Sequence, residues 1–348
     1  MCRNPIQCIV PPYMIEQLAR SPDPVVRESA IAHLQSAAAT RATRAMSRSV
    51  AELLAARAPD GGKNRLVYDA RGLDRLPGTL VRSEGQATTK DSAINEAYDN
   101  AGSTYDFYES LFMRNSLDGN GMRLVSSVHV GEANGAALDN AFWNGQQMAY
   151  GDGDGRVFSR FTKALDVVAH ELTHGVQQYT SNLTYQGESG ALNEHFSDVF
   201  GILVRQWKNG ESVGKASWLI GADVLVPAPT RRAIRDMEHP GTAYRNDPDL
   251  GSDPQPASYA KRYTGAQDNG GVHLNSGIPN RAFVLTAKAI GGKAWETAGR
   301  IWYDTMLQLS TASRFADCAR VSAQVAAGQG AAAAKAVKAA WKKVGVSA

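Results

Sequence analysis

Cysteine is scarce in this chain of 348 residues: Cys2, Cys8 and Cys318 make an odd count with no Cys-x-x-Cys pair. That excludes a disulfide framework and a cysteine zinc cluster. No uncharged apolar run reaches the ~18 residues that a membrane span needs. Excess charge is also missing, since 37 Lys and Arg stand against 34 Asp and Glu. A net charge of +3, dispersed along the chain, gives no basis for a nucleic-acid or anionic-membrane partner. The start, MCRNPIQCIVPPYMIEQLAR, lacks the basic segment and apolar stretch of a signal peptide, because Pro11-Pro12 interrupts its one apolar run. Cytoplasmic synthesis is therefore expected. What remains is the composition of an ordinary globular protein, 43% apolar and 20% charged, with a length that allows two or three domains at ~150 residues each.

Residues 1 to about 60 carry almost no aromatic side chain and are rich in Ala and Arg, as an appended segment would be. Asp23-Pro24 supplies a helix start, after which Val26, Ala30, Ile31, Leu34 and Ala37 recur at helical spacing. APDGGKN (58–64) follows as a linker. Strand patterns at Leu66-Val67-Tyr68 and from Leu124 to Val130, with an amphipathic helix over 90–114 between them, make a mixed α/β unit to about 155. Helical patterns dominate from Phe158 onward and end in an Ala-rich, Lys-dotted stretch over 320–343. The expected class is α+β in two lobes: residues 1–50 an appended segment, 60–180 an α/β lobe, 181–348 a helical lobe.

The chemistry concentrates in ALDVVAHELTHGVQQY. His170 and His174 are four apart, so on a helix both imidazoles leave one face a turn apart and can share one tetrahedral zinc ion. Glu171 lies beside that face, where it can act as general base toward a water activated by the metal. A third protein ligand is required. Glu194, on the next helical pattern SGALNEHFSDVFGILV, supplies one, and Asp198 at i+4 faces the same way and can accept the outer N–H of a zinc-bound imidazole. His195 is rotated about 100° from Glu194, which predicts a structural part for it or one behind the ligands.

HELTHGV, Tyr185, ALNEHFSD and DNGGVHLNSG, together with DNAFWNGQQMAYGDGDG (139–155), closely resemble the thermolysin-like zinc metalloproteases from about Arg65 to the C-terminus. CIVPPYMI (8–15) resembles the short propeptide of the protealysin subgroup. The resemblance implies a two-lobed fold with the cleft between lobes and an endopeptidase with one catalytic zinc. It implies Tyr185 and His273 as donors to the oxyanion, with Asp268 holding His273. It assigns substrate backbone contacts to Asn140, Ala141 and Arg235. The pocket for the residue after the scissile bond is implied to be Phe158, Phe161, Val167, Ile220 and Ile234, all apolar, so cleavage before bulky apolar residues is expected.

Calcium binding is expected to be reduced. Asp166 and Asp223 stand where the family has calcium ligands, but Arg205, Leu219 and Ala222 replace further acids, and Leu225, Val226 and Arg232 replace a second loop. GDGDG (151–155) reads as a tight turn. Partners are polypeptide substrates and the chain's own propeptide as an intramolecular inhibitor; a monomer is expected. Arg41, Arg44, Arg48 and Arg57 mark accessible regions, and self-processing is expected before Val50 or Leu53. Cys8 is read as structural, with zinc ligation the alternative. The resemblance leaves secretion without a signal peptide open. The competing functional reading is a non-catalytic zinc-binding interaction protein; an aminopeptidase would need an anchor for a free amine, and none is present.

Overall fold

The structure, a computed structural model, describes residues 7–43 and 61–347, with side chains left out over 36–43. The expected processing region, with Val50, Leu53, Arg44, Arg48, Arg57 and the Arg41 side chain, lies outside the described residues. The N-terminal segment forms β1 (Gln7–Cys8), α1 (Pro12–Leu18) and α2 (Pro24–Thr43). The sheet-rich part continues with β2 (Arg65–Asp69), β3 (Thr79–Ser83), α3 (Ser92–Phe112), β4 (Leu124–Val130), β5 (Ala141–Trp143) and β6 (Met148–Gly151). Next come α4 (Leu165–Gln178), α5 (Gly187–Asn209) and the small ribbon β7 (Leu219–Ile220) and β8 (Arg235–Asp236). The remaining helices are α6 (Gln267–Asn275), α7 (Gly277–Ile290), α8 (Thr297–Gln308), α9 (Phe315–Gly328) and α10 (Ala331–Lys343).

Six strands form one sheet in the order β1-β5-β6-β4-β2-β3. β4 pairs in parallel with both β2 and β6, and its residues are buried apart from a half-exposed His129, as a central strand covered on both faces requires. The outer pairs are antiparallel. α3 starts with Asp91 accepting from the amides of Ala93 and Ile94, and ends at Met113 in the left-handed conformation. Its buried face carries Phe107, which meets Trp207 of α5 edge-on, and Tyr108 and Phe112, which both meet Phe200 of α5 and Tyr303 of α8, Phe112 lying stacked on Tyr303. One apolar core therefore runs through sheet and helices.

α4 and α5 sit at the centre of that core. Gly201 makes their approach possible: a Cβ there would lie 2.6 Å from the Asp166 carbonyl oxygen and 3.2 Å from Cβ of His170. Eleven polar or charged positions on the two helices are fully buried, among them His170, Glu171, His174, Glu194, His195 and Asp198. Groups of this kind are tolerated in a core only when each has a partner.

Two local expectations need correction. Among the described side chains of α2 the buried positions are Val26, Ser29, Ala30 and Ala32, while Ile31 is 40% exposed; the docked stripe keeps Val26 and Ala30 of the apolar count and leaves Ile31 outside. The Ala-rich stretch over 320–343 is two helices, because Gly330 at φ 116 turns the chain between α9 and α10. The GDGDG turn is as expected, with Asp154 Oδ1 accepting from the amides of Arg156, Val157 and Phe158.

Candidate active site

His170 and His174 leave α4 toward α5, and their Nε2 atoms lie 3.1 Å apart. Glu194 on α5 completes a triangle, with Oε2 3.5 Å from His170 Nε2 and Oε1 3.5 Å from His174 Nε2. Among the described residues these three are the one His, Cys, Asp or Glu group that brings ligand atoms together in this way. Their other atoms are held from outside. Asp198 Oδ1 lies 2.9 Å from His170 Nδ1, while His174 Nδ1 faces Asn193 Oδ1 at 2.7 Å and Ser197 Oγ at 2.9 Å. With His174 Nδ1 hydrogen-bonded to Asn193 and Ser197 and His170 Nδ1 beside the Asp198 carboxylate, the two Nε2 atoms and the Glu194 carboxylate converge on one point.

A cation fits that point. Ligand bonds of about 2.0–2.1 Å in a tetrahedron separate donor atoms by roughly 3.3 Å, close to the observed spacings. Glu194 Oε2 is buried and has no hydrogen-bond partner among the described residues. Burial alone would lower the His170 pKa, yet the Asp198 and Glu194 carboxylates raise it to about 9, so the site takes up a positive charge even as a bare proton. His174 goes the other way: burial holds it neutral with a pKa of about 3.

Glu171 stands beside the triangle, fully buried. Oε2 accepts from the Trp143 amide at 3.0 Å, and Oε1 has no partner among the described residues. Burial pushes its carboxyl up to about 8, with the nearby Glu194 charge adding to the rise. Tyr185 Oη reaches both Glu194 Oε1 and, at 3.2 Å, His273 Nε2. Asp268 holds His273 through Nδ1 at 2.6 Å and through the His273 backbone amide at 2.8 Å. That grip has a backbone cost, since Asp268 to Gly271 are four successive residues at positive φ, two of them not glycine. Against burial, the Glu194 and Asp268 carboxylates keep the His273 pKa at about 9.

Asp198 also binds Arg235 on β8, whose Nε and Nη2 donate at 2.9 and 2.7 Å; both residues are fully buried. The carboxylate predicted to orient a ligand thus also fixes the guanidinium predicted to hold substrate. Sequence reasoning missed the Trp143 amide on Glu171, and Asn193 and Ser197 on His174. The last two were legible as the residues flanking Glu194 at −1 and +3 on α5.

The cleft edge is not free. β1 pairs antiparallel with β5, Gln7 opposite Trp143 and Cys8 opposite Phe142. The Ile9 amide donates to the Ala141 carbonyl at 3.2 Å, and the Ile9 carbonyl accepts from Arg235 Nη1 at 2.8 Å. Asn140 bonds Val10 through both amide atoms, at 3.0 and 3.3 Å. The Cys8 carbonyl lies 3.0 Å from His273 Nε2, whereas the Cys8 thiol turns to the Val10 carbonyl at 3.5 Å. Every polar group predicted to contact substrate backbone contacts residues 8–10 instead. Phe158, Phe161, Val167, Ile220 and Ile234 are all fully buried, as is Ile9.

Comparison with known proteins agrees with this geometry. Residues 54–178 match the thermolysin metallopeptidase catalytic domain and residues 181–346 its alpha-helical domain. A protein of Pectobacterium carotovorum named extracellular metalloprotease is 48% identical over 309 residues, 88% of this chain and 86% of that one. A bacillolysin of Bacillus cereus is 41% identical over 82% of this chain, which spans about half the length of that relative. The solved precursor of protealysin, a metalloproteinase from Serratia proteamaculans, superposes with a TM-score of 0.87 at 45% identity, covering 98% of this chain and 100% of that one. The expectation of a cytoplasmic protein is corrected by these relatives, the first of which is named extracellular. With two domain matches that together span most of its length, the chain belongs to the thermolysin metallopeptidase family and is a metalloendopeptidase.

Proposed function

We propose that the chain is the precursor of a zinc endopeptidase that cuts on the amino side of bulky apolar residues and that its own N-terminal segment occupies the substrate site. The observation that carries this reading is the backbone of residues 8–10, held by Ala141, Asn140, Arg235 and His273. A zinc ion held by His170, His174 and Glu194 would supply Lewis-acid polarisation and a water of lowered pKa. Glu171 Oε1, unpartnered among the described residues, takes the proton of the attacking water and later returns it to the leaving nitrogen. Tyr185 and His273 donate to the carbonyl oxygen as charge builds on it. Ala141 and Arg235 fix the residue after the cut by its backbone, which leaves its side chain to choose.

In that register Cys8 precedes the bond at the reacting position and Ile9 follows it, so Ile9 enters the pocket assigned to Phe158, Phe161, Val167, Ile220 and Ile234. Burying such a side chain is worth about 1.5–3 kcal/mol, and Ile9→Asp forfeits it. The full-length Ile9→Asp chain is expected to cleave an unfolded protein at least tenfold faster at first than the unaltered chain. Equal initial rates in the two chains would count against the inhibitory role. Mass spectrometry of the products checks the specificity: bulky apolar residues should follow the cuts, and a zinc chelator should abolish them.

We further propose that Arg205 replaces a calcium ion. Its Nη1 lies 3.4 Å from Asp166 Oδ2 and 3.3 Å from the Leu219 carbonyl, and Asp166 is fully buried. Removing the guanidinium leaves the buried carboxylate to the Gly221 and Val167 amides without a countercharge, at about 3 kcal/mol. Urea unfolding of Arg205→Ala is expected to show that loss, while calcium chelation leaves the unaltered chain's midpoint in place. A midpoint that falls on chelation would restore calcium to the site.

A further inference from the structure

A buried line of polar groups runs from Trp302 on α8 through His195 and Asn280 to Asp198. Trp302 Nε1 donates to His195 Nε2 at 2.7 Å. His195 Nδ1 lies 2.7 Å from Asn280 Oδ1, and Asn280 Nδ2 donates to Asp198 Oδ2 at 2.8 Å. Trp302, His195, Asn280 and Asp198 are all fully buried, so water supplies none of these bonds. Asp198 in turn faces His170 Nδ1 and grips Arg235.

The direction of this line is forced from its far end. An indole N–H donates and cannot accept, so His195 Nε2 carries a lone pair and the neutral ring's proton sits on Nδ1. That N–H needs an acceptor, which turns the Asn280 carbonyl toward His195 and the Asn280 NH2 toward Asp198. The opposite arrangement, with the proton on Nε2, would turn the Asn280 amide over and set its oxygen against the Asp198 carboxylate. Two buried oxygens would then meet with no hydrogen between them, an unsatisfied contact at the group that orients two others.

We propose that Trp302 is a remote positioning residue: through His195 and Asn280, its N–H sets the polarity that aims an amide donor at Asp198 and so keeps His170 and Arg235 in working orientation. This rests on the reading of His170 as a zinc ligand and Arg235 as a holder of substrate backbone. It also accounts for His195, the apparent competitor of Glu194 in the sequence, whose two nitrogens are both engaged away from the metal triangle. The line couples the metal side of the site to the substrate side through one carboxylate.

The test uses the full-length chain with nitrogen-labelled histidine. Nuclear magnetic resonance should find His195 as the Nδ1–H tautomer in the unaltered protein, with and without zinc. Trp302→Phe keeps an aromatic ring against Phe283, whose centroid is 4.9 Å away, and removes the donor together with part of the ring volume. In that variant His195 should move to the Nε2–H tautomer and the zinc dissociation constant, read by chelator competition, should rise about tenfold, the lower end for loss of outer support at a metal site. Phe283→Leu loosens the same packing without touching the polar line and should change neither reading. A proton on Nε2 of His195 in the unaltered chain overturns the proposal, as does Trp302→Phe with unchanged zinc affinity, or Phe283→Leu reproducing its effect. A chain that binds no zinc at all would defeat the metal reading instead, and the tautomer measurement would still decide the polarity.

Discussion

Glu171→Gln is expected to lower kcat for peptide hydrolysis by about a thousandfold, roughly 4 kcal/mol of transition-state stabilisation, while the chain keeps a full complement of zinc. The two outcomes separate because of where each oxygen points. Oε2 is bound to the Trp143 amide, a contact that the side-chain carbonyl of Gln can also make, so the variant keeps the shape of the site. Oε1 is the buried, unpartnered atom, and there the substitution replaces a proton acceptor with an NH2 group. The metal triangle involves neither atom. Zinc content by atomic spectroscopy and single-turnover rates on a peptide with Leu after the cut, both on chains freed of the N-terminal segment, give the comparison. A variant that retains more than a tenth of the rate would assign proton transfer to another group, and one that loses its zinc would make Glu171 part of the metal shell.

Much of this site was legible before any coordinates because it obeys a helical period. His170, Glu171 and His174 lie within five residues of one helix, and Glu194 and Asp198 within five of the next, so spacing alone put each pair on a common face. The class of fold was legible for a similar reason: strand and helix periods separate at about residue 158. What spacing could not give were contacts made by backbone atoms and contacts between distant segments. The Trp143 amide on Glu171 carries no residue signature at all, and Asn280 and Trp302 reach Asp198 and His195 from helices 82 and 107 positions away. Ile31 was misplaced because an apolar count ranks side chains by type, whereas α2 docks through Ser29 and His33, which bond acidic groups on the catalytic part. Polar docking of that kind is invisible to a hydrophobic period.

The Ser29 contact makes the hold on α2 depend on pH, and in one direction. Ser29 Oγ donates to Asp139 Oδ2 at 2.6 Å, and His33 Nδ1 lies 2.7 Å from Glu132 Oε1. Asp139 is 1% exposed, its Oδ1 has no partner, and the carboxylates of Asp154 and Glu132 face it. Burial, with Asp154 next in weight, raises its pKa to about 7. A detached α2 returns Asp139 to water and toward the ordinary carboxylate value of about 3.9. The docked state therefore binds the proton more tightly, so docking is firmest below about pH 4 and is lost progressively as pH rises to 7, then stays level. Between pH 5 and 7 the opening equilibrium should grow roughly fiftyfold. Hydrogen exchange of the α2 amides, measured on the full-length Glu171→Gln chain so that no self-cleavage intervenes and corrected for intrinsic rates, reads that equilibrium. Asp139→Asn keeps an acceptor for Ser29 and cannot ionise, so its exchange should be slow and nearly flat across the same range. If Asp139→Asn follows the unaltered profile, the buried carboxylate is not what loosens the segment, and the approach to neutral pH would have to act on the cleft itself.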